Sequence, residues 1–217
     1  MTTIYLVRHG EVEGNSGAVR TFAGMRDLEL NARGVAQAGA IAQRLKNEKI
    51  DAVYASTLQR AWKTADGITA QHNLQTTRDA GFCEVNYGEW EGLAEADILE
   101  KYADLWKLRV ADPFNVAPPG GESYRMLWER LQPAWQGIVE RHDGENVVIV
   151  AHNGSIRVLL CQLLGAPPAN ARRLHIGNAS LTEIRTGDAP NVPGGKLEGP
   201  PLVIQYINQT AHLEGIS

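Results

Sequence analysis

The stretch Thr3-Ile4-Tyr5-Leu6-Val7-Arg8-His9-Gly10 decides the fold of this 217-residue chain. Its first five residues have the apolar, β-branched character of a buried strand, and Gly10 permits a sharp turn immediately beyond it. A guanidinium and an imidazole are thereby delivered together at the end of a strand. In open α/β sheets that edge is where ligands bind.

Working outward, Asn31 is expected to cap a helix from Ala32 to about Lys46, with Val35, Ala38, Ala42 and Leu45 on its inner face. Ala52-Val53-Tyr54-Ala55 reads as a short buried strand, and Ser56 as the N-cap of a helix through Ala70. Strand, helix, strand, helix implies right-handed crossovers and a parallel sheet. A further helix is expected within Glu91 to Leu108, with Ile98, Tyr102, Leu105 and Leu108 as its apolar stripe. Pro118-Pro119-Gly120-Gly121 then punctuates the chain, so that 91–121 reads as a cap beside the sheet mouth. Ser123 opens a long helix carrying Tyr124, Leu127, Leu131, Trp135 and Ile138, which Pro133 should bend or split. Asn146 to Ala151 is the strongest central-strand signal, ending at His152, and Ser155 to Leu164 reads as a buried helix. Two late strands at Ser180 to Ile184 and Leu202 to Tyr206, joined by a Gly/Pro-rich stretch, make the sheet mixed. The expected fold class is α/β, a single domain over 1–217.

Composition narrows the partners. With 21 basic and 25 acidic residues and a net charge of −4, nothing predicts binding to nucleic acid or to an anionic membrane. No run approaches the roughly 18 apolar residues of a membrane span, and no leader pattern opens the chain. A soluble cytoplasmic protein is expected. Cys83 and Cys161 match no metal or disulfide spacing and read as buried thiols.

Three strands now end in chemistry: Val7 in Arg8-His9, Ala55 in the segment leading to Arg60, and Ala151 in His152. Parallel strands bring those ends to one edge, and the resulting positive pocket suits a phosphate. Arginine offers a fixed fork of donors to phosphoryl oxygens, whereas a neutral histidine can attack phosphorus. The cations stabilise charge on the transferring group, so no metal and no cofactor is expected. A leaving oxygen needs a proton, and Glu84, Glu89 and Glu91 are the candidate acids. Trp90 reads as packing; Glu122 faces the site or begins a helix.

Leu6-Val7-Arg8-His9-Gly10-Glu11 with Asn15, Tyr54-Ala55-Ser56-Thr57-Leu58-Gln59-Arg60-Ala61, and Val150-Ala151-His152-Asn153-Gly154 together resemble the signatures of the histidine phosphatase superfamily, also called phosphoglycerate-mutase-like. The resemblance implies a three-layer helix-sheet-helix fold with a mostly parallel mixed sheet. It implies His9 as the phosphorylated nucleophile, Arg8, Arg60 and His152 as phosphoryl ligands, and Glu84 as the proton donor. Asn15, Gly24, Asn153 and Gly154 would contact substrate.

Ala23 stands where the mutases usually carry a hydroxyl, and Val85 where they commonly follow the acid with arginine. Tyr87-Gly88-Glu89-Trp90-Glu91-Gly92 resembles instead the small broad-specificity and α-ribazole phosphatases. The resemblance thus implies hydrolysis of a small phosphomonoester through a phosphohistidine, with release of inorganic phosphate. Cofactor-dependent phosphoglycerate mutase is the alternative, and a noncatalytic phosphate-binding module a more distant one. A homodimer is compatible with it.

Overall fold

Strand β1 (Thr2–Arg8) alternates its side chains between two hydrophobic layers: Ile4 and Leu6 point to one core, Tyr5 and Val7 to the other. Both faces are therefore covered, as a central strand rich in β-branched residues requires. The structure, a computed structural model, describes residues 1–14, 21–187 and 201–216.

The remaining strands are β2 (Ala52–Ala55), β3 (Thr76–Arg78), β4 (Asn146–Ala151), β5 (Leu181–Thr186) and β6 (Leu202–Gln209). They form one sheet in the order β3-β2-β4-β1-β5-β6. The β3-β2-β4-β1 portion is parallel, while β5 and β6 add as an antiparallel edge. Both late strands run longer than their sequence pattern announces. β3 carries only Thr-Thr-Arg and gives no apolar signal, which hides it from a reading based on periodicity.

Helices α1 (Ala32–Leu45) and α2 (Gln59–His72) contribute Ile41, Ala42, Leu45, Ala61, Ala65 and Ile68 to the core on one face of the sheet. Helices α4 (Tyr124–Arg141) and α5 (Asn153–Leu163) contribute Leu131, Trp135, Ile138, Ile156 and Leu159 to the other. Helix α3 (Glu95–Ala111) lies outside these two clusters and packs Ile98 and Trp106 around Trp90. The expected three-layer α/β architecture is the one observed.

Local details depart from the sequence reading. The Asn31 side chain does cap α1, accepting from the Gly34 N–H at 2.8 Å, but Val35 is exposed and the inner face runs instead through Gly34, Ala38, Ile41 and Leu45. Ser56 does not cap α2. Its Oγ accepts from the Leu58 N–H at 3.2 Å, closing a local turn before the helix, which starts only at Gln59. The cap comes from a distant loop, where Asp27 Oδ1 accepts from the Gln59 N–H at 2.7 Å. Helix α3 departs from helical geometry at Tyr102 and leaves Leu108 exposed, burying Trp106 and Arg109 in its place. Helix α4 continues through Pro133 because buried Leu131 and Trp135 anchor it on both sides.

Candidate active site

Register brings the three strand ends together. Arg8 of β1 lies opposite Ala151 of β4, and Ala55 of β2 opposite Val150. The His9 N–H extends the ladder to the Ala151 carbonyl at 3.0 Å. Directly beyond that edge opens a cavity of about 800 Å³, lined in part by Arg8, His9, Arg60, Glu84 and Asn153.

His9 and His152 are both buried, their ring centroids 4.9 Å apart. His9 Nδ1 lies 2.6 Å from its neighbour's carbonyl, Gly10 O. That contact requires a proton on Nδ1 and leaves Nε2 with its lone pair. His152 has the opposite arrangement: its Nδ1 accepts from Arg60 Nε at 3.2 Å, so in the neutral ring Nε2 bears the hydrogen. That Nε2 is buried with no partner among the described residues. Burial first, and then the Arg60 charge, hold both imidazoles well below the usual histidine range. A neutral lone pair and a neutral N–H donor thus stand side by side.

Arg60 is fixed by backbone as well as by His152. Its Nη1 donates to Arg26 O at 2.6 Å and Nη2 to Gly24 O at 2.7 Å. Arg8 Nη1 donates to Ile176 O at 2.7 Å. Gly24 adopts a positive φ of 51° and lines the cavity; a side chain there would run into the Glu91 carboxylate.

Of the three candidate acids, Glu84 alone lines the cavity. Its Oε1 accepts from the N–H groups of Val85 at 2.9 Å and Ser155 at 3.2 Å, and its Oε2 from Gly154 at 3.1 Å. Glu84 therefore sits at the amino end of α5. Glu89 accepts instead from Tyr102 OH, and Glu91 from the Met25 N–H. The loop bearing Glu84 is braced from behind by Arg130, which donates to the carbonyls of Gly81, Cys83 and Glu84 and pairs with Glu122 at 2.7 Å. Glu122 thus turns away from the cavity; its Oε1 also takes the Asn86 N–H. Cys83 is buried against Ser56 and Thr57, in keeping with a packed thiol.

The residues expected to contact substrate take different places. Gly154 does not line the cavity: its N–H goes to Glu84, and a Cβ on it would stand 2.5 Å from Glu84 Oε1. Its small size makes room for the acid. Asn15 lies outside the described residues. Asn153 does line the cavity, and its Oδ1 has no partner among those residues. Trp90 is fully buried against Trp106.

Tyr87, Trp106, Arg109, Tyr124, Arg157 and Arg172 also line the cavity, and none of them is expected there from the sequence. One signal was available: Arg109 continues the 98, 102, 105 stripe at helical spacing, an arginine on an apolar face. Among the described residues no group of three or more His, Cys, Asp or Glu side chains is arranged to hold a metal ion, and no helix is long and apolar enough to cross a membrane.

Comparison with known proteins agrees with this geometry. The chain is 32% identical over 213 residues to phosphoserine phosphatase 1 of Hydrogenobacter thermophilus, covering 98% of this chain and 95% of that protein. It is also 32% identical over 215 residues to a probable phosphoglycerate mutase, GpmB, of Yersinia pestis, covering 99% and 96%. Among solved structures, the mycobacterial glucosyl-3-phosphoglycerate phosphatase superposes with a TM-score of 0.82 at 28% identity, covering 96% of this chain and 99% of that one. The family model for the histidine phosphatase superfamily (branch 1) matches residues 4–192. By sequence and by fold, this chain belongs to the histidine phosphatase superfamily.

Proposed function

We propose that the protein is a phosphomonoester hydrolase that works through a phosphohistidine on His9. The observation that carries this reading is the opposed pair of tautomers. His9, on the cavity wall with Arg8 and Arg60, offers an unprotonated Nε2, and His152, buried beside it, bears an Nε2–H.

In the first step His9 Nε2 forms a bond to phosphorus as the bond from phosphorus to the leaving oxygen breaks. Arg8, Arg60 and the His152 Nε2–H take the charge on the remaining phosphoryl oxygens. Glu84 supplies the proton to the leaving oxygen. Its Oε2, which accepts one N–H against two on Oε1, is the oxygen with room for that proton. In the second step water attacks phosphorus, Glu84 accepts a proton from it, and the N–P bond breaks to release inorganic phosphate. His9 returns to its starting tautomer. The segment 91–121 acts as a cap that shapes the leaving-group side.

A mutase reading draws on the probable phosphoglycerate mutase relative. Hydrolysis is favoured by Ala23 on the cavity wall and by Val85, whose buried side chain offers no charge to an acidic acceptor. The deciding experiment incubates the protein with a panel of phosphomonoesters and reads inorganic phosphate and positional isomers separately. Phosphate release that outpaces isomerisation is expected. Isomerisation faster than phosphate release would establish the mutase instead.

A further inference from the structure

We propose that Gln37, in the second turn of α1, is a positioning residue for the nucleophile: through the peptide that joins Gly10 to Glu11 it holds His9 in the tautomer whose Nε2 is free to attack phosphorus. This deepens the phosphohistidine reading, on which it rests.

The Gly10–Glu11 peptide unit is hydrogen-bonded on both sides. Its carbonyl takes the Nδ1–H of His9 at 2.6 Å, and its N–H donates to Gln37 Oε1 at 2.8 Å. His9, Glu11 and Gln37 are all buried, where such bonds are stronger than in water. A peptide N–H can only donate, so the Gln37 amide must turn its oxygen toward it. Donation at the N–H and acceptance at the carbonyl polarise one conjugated unit in the same sense, and each bond strengthens the other. The chain of bonds thus runs from the Gln37 oxygen through the peptide to Nδ1, and it leaves the lone pair on Nε2.

Gln37 is not on the cavity wall, so it reaches the reaction only through His9. Its placement is prepared by Gly34, one turn earlier on the same buried face of α1. A Cβ on Gly10 would overlap the Gly34 carbonyl, and a Cβ on Gly34 would overlap the Glu11 carbonyl. The two glycines let the helix settle directly on the turn after His9, where the Asn31 N–H also donates to Glu11 O at 3.0 Å. From the other side Thr64 of α2 grips the same turn: its Oγ1 accepts from the Gly10 N–H at 3.1 Å and donates to Arg60 O at 2.7 Å. The Gln37 bond satisfies a buried donor, and a purely structural role would end there. Positioning requires in addition that the state of the His9 ring depend on it.

The test reads that ring directly. In protein labelled with ¹⁵N-histidine and freed of phosphate, long-range ¹H–¹⁵N correlation spectra distinguish protonated from unprotonated ring nitrogens, and the His9 signals are those missing from His9→Gln. Wild type is expected to show a protonated Nδ1 and an unprotonated Nε2. In Gln37→Met, which keeps the length of the side chain and lacks the oxygen, the Nδ1 proton should exchange with water roughly tenfold faster, and kcat for p-nitrophenyl phosphate should fall roughly tenfold with KM within about twofold. Gln37→Glu, which returns an acceptor to the Glu11 N–H, should recover part of both. A wild-type His9 protonated on Nε2 overturns the proposal, as does a folded Gln37→Met in which either the Nδ1 exchange or kcat is unchanged. If Gln37→Met does not fold, Gln37→Asn, whose oxygen is withdrawn by one methylene, takes its place under the same criteria. The spectra need no substrate, so this failure is distinct from failure of the hydrolase reading, which absence of phosphate release by wild type would mark.

Discussion

The rings of His9 and His152 stand 4.9 Å apart, tilted by 55°, and their hydrogen bonds give them opposite neutral tautomers. Neither ring can be charged cheaply, because both are buried beside Arg60. The pair therefore couples the chemistry of the site to the stability of the fold.

Stability should fall in mild acid for this reason. In the unfolded chain each imidazole takes up a proton near pH 6.5, whereas in the folded, phosphate-free protein it does so only at lower pH. Below 6.5 the unfolded state thus binds more protons, and the loss grows until the folded-state values are reached. Each ring contributes about 1.4 kcal/mol per pH unit within that window. Urea unfolding from pH 7 to 5 should show a shallower decline for His9→Gln than for wild type; parallel curves would contradict the neutral assignment.

Glu84→Gln should separate acid catalysis from structure. The amide oxygen can still accept from the N–H groups at the start of α5, but the side chain cannot deliver a proton. Turnover of alkyl phosphates should drop by about 10²- to 10⁴-fold, and p-nitrophenyl phosphate, with its good leaving group, should lose far less. Equal losses on both substrates would remove Glu84 from the acid role.

Arg130→Met should loosen the loop that presents this acid. It removes donors from the carbonyls of Gly81, Cys83 and Glu84 and strands Glu122. Because Arg130 keeps partial contact with solvent, a cost of about 2–3 kcal/mol is expected. Chemical denaturation measures it, and a change below about 0.5 kcal/mol would show that the brace is dispensable.

Two glycines should respond oppositely to alanine. At Gly154 the added Cβ would meet Glu84 Oε1 and Val85 Cγ2, each at 2.5 Å, so activity should fall at least roughly tenfold as the acid is displaced. At Gly137, inside α4 with nothing within 4 Å of the same atom, alanine should stabilise the protein by about 0.5–1 kcal/mol. Assay and thermal unfolding of both variants test the contrast.

Much of the fold was readable because its signals are local. Alternation in β1 and β4, the Asn31 cap and the apolar face of α4 all follow from neighbouring residues. What escaped depends on distant partners. β3 is a strand because β2 offers it a parallel edge, and α2 starts at Gln59 because Asp27 reaches across to it. The same division runs through the site. Strand-end logic brings Arg8, His9, Arg60 and His152 together and the resemblance adds Glu84, whereas Arg109 and Arg172 reach the cavity from separate elements that periodicity does not connect. Gly154, expected at the substrate, packs against Glu84 instead of lining the cavity, a placement set by a residue seventy positions away.

The most direct test of the central claim is rapid acid-free quenching of the protein during turnover of a ³²P-labelled phosphomonoester, followed by peptide mapping of the acid-labile label. Label on the peptide containing His9, formed and lost at rates consistent with kcat and absent in His9→Ala, is the expected result. Turnover with no protein-bound phosphate, or label that persists in His9→Ala, would contradict a mechanism in which His9 carries the phosphoryl group.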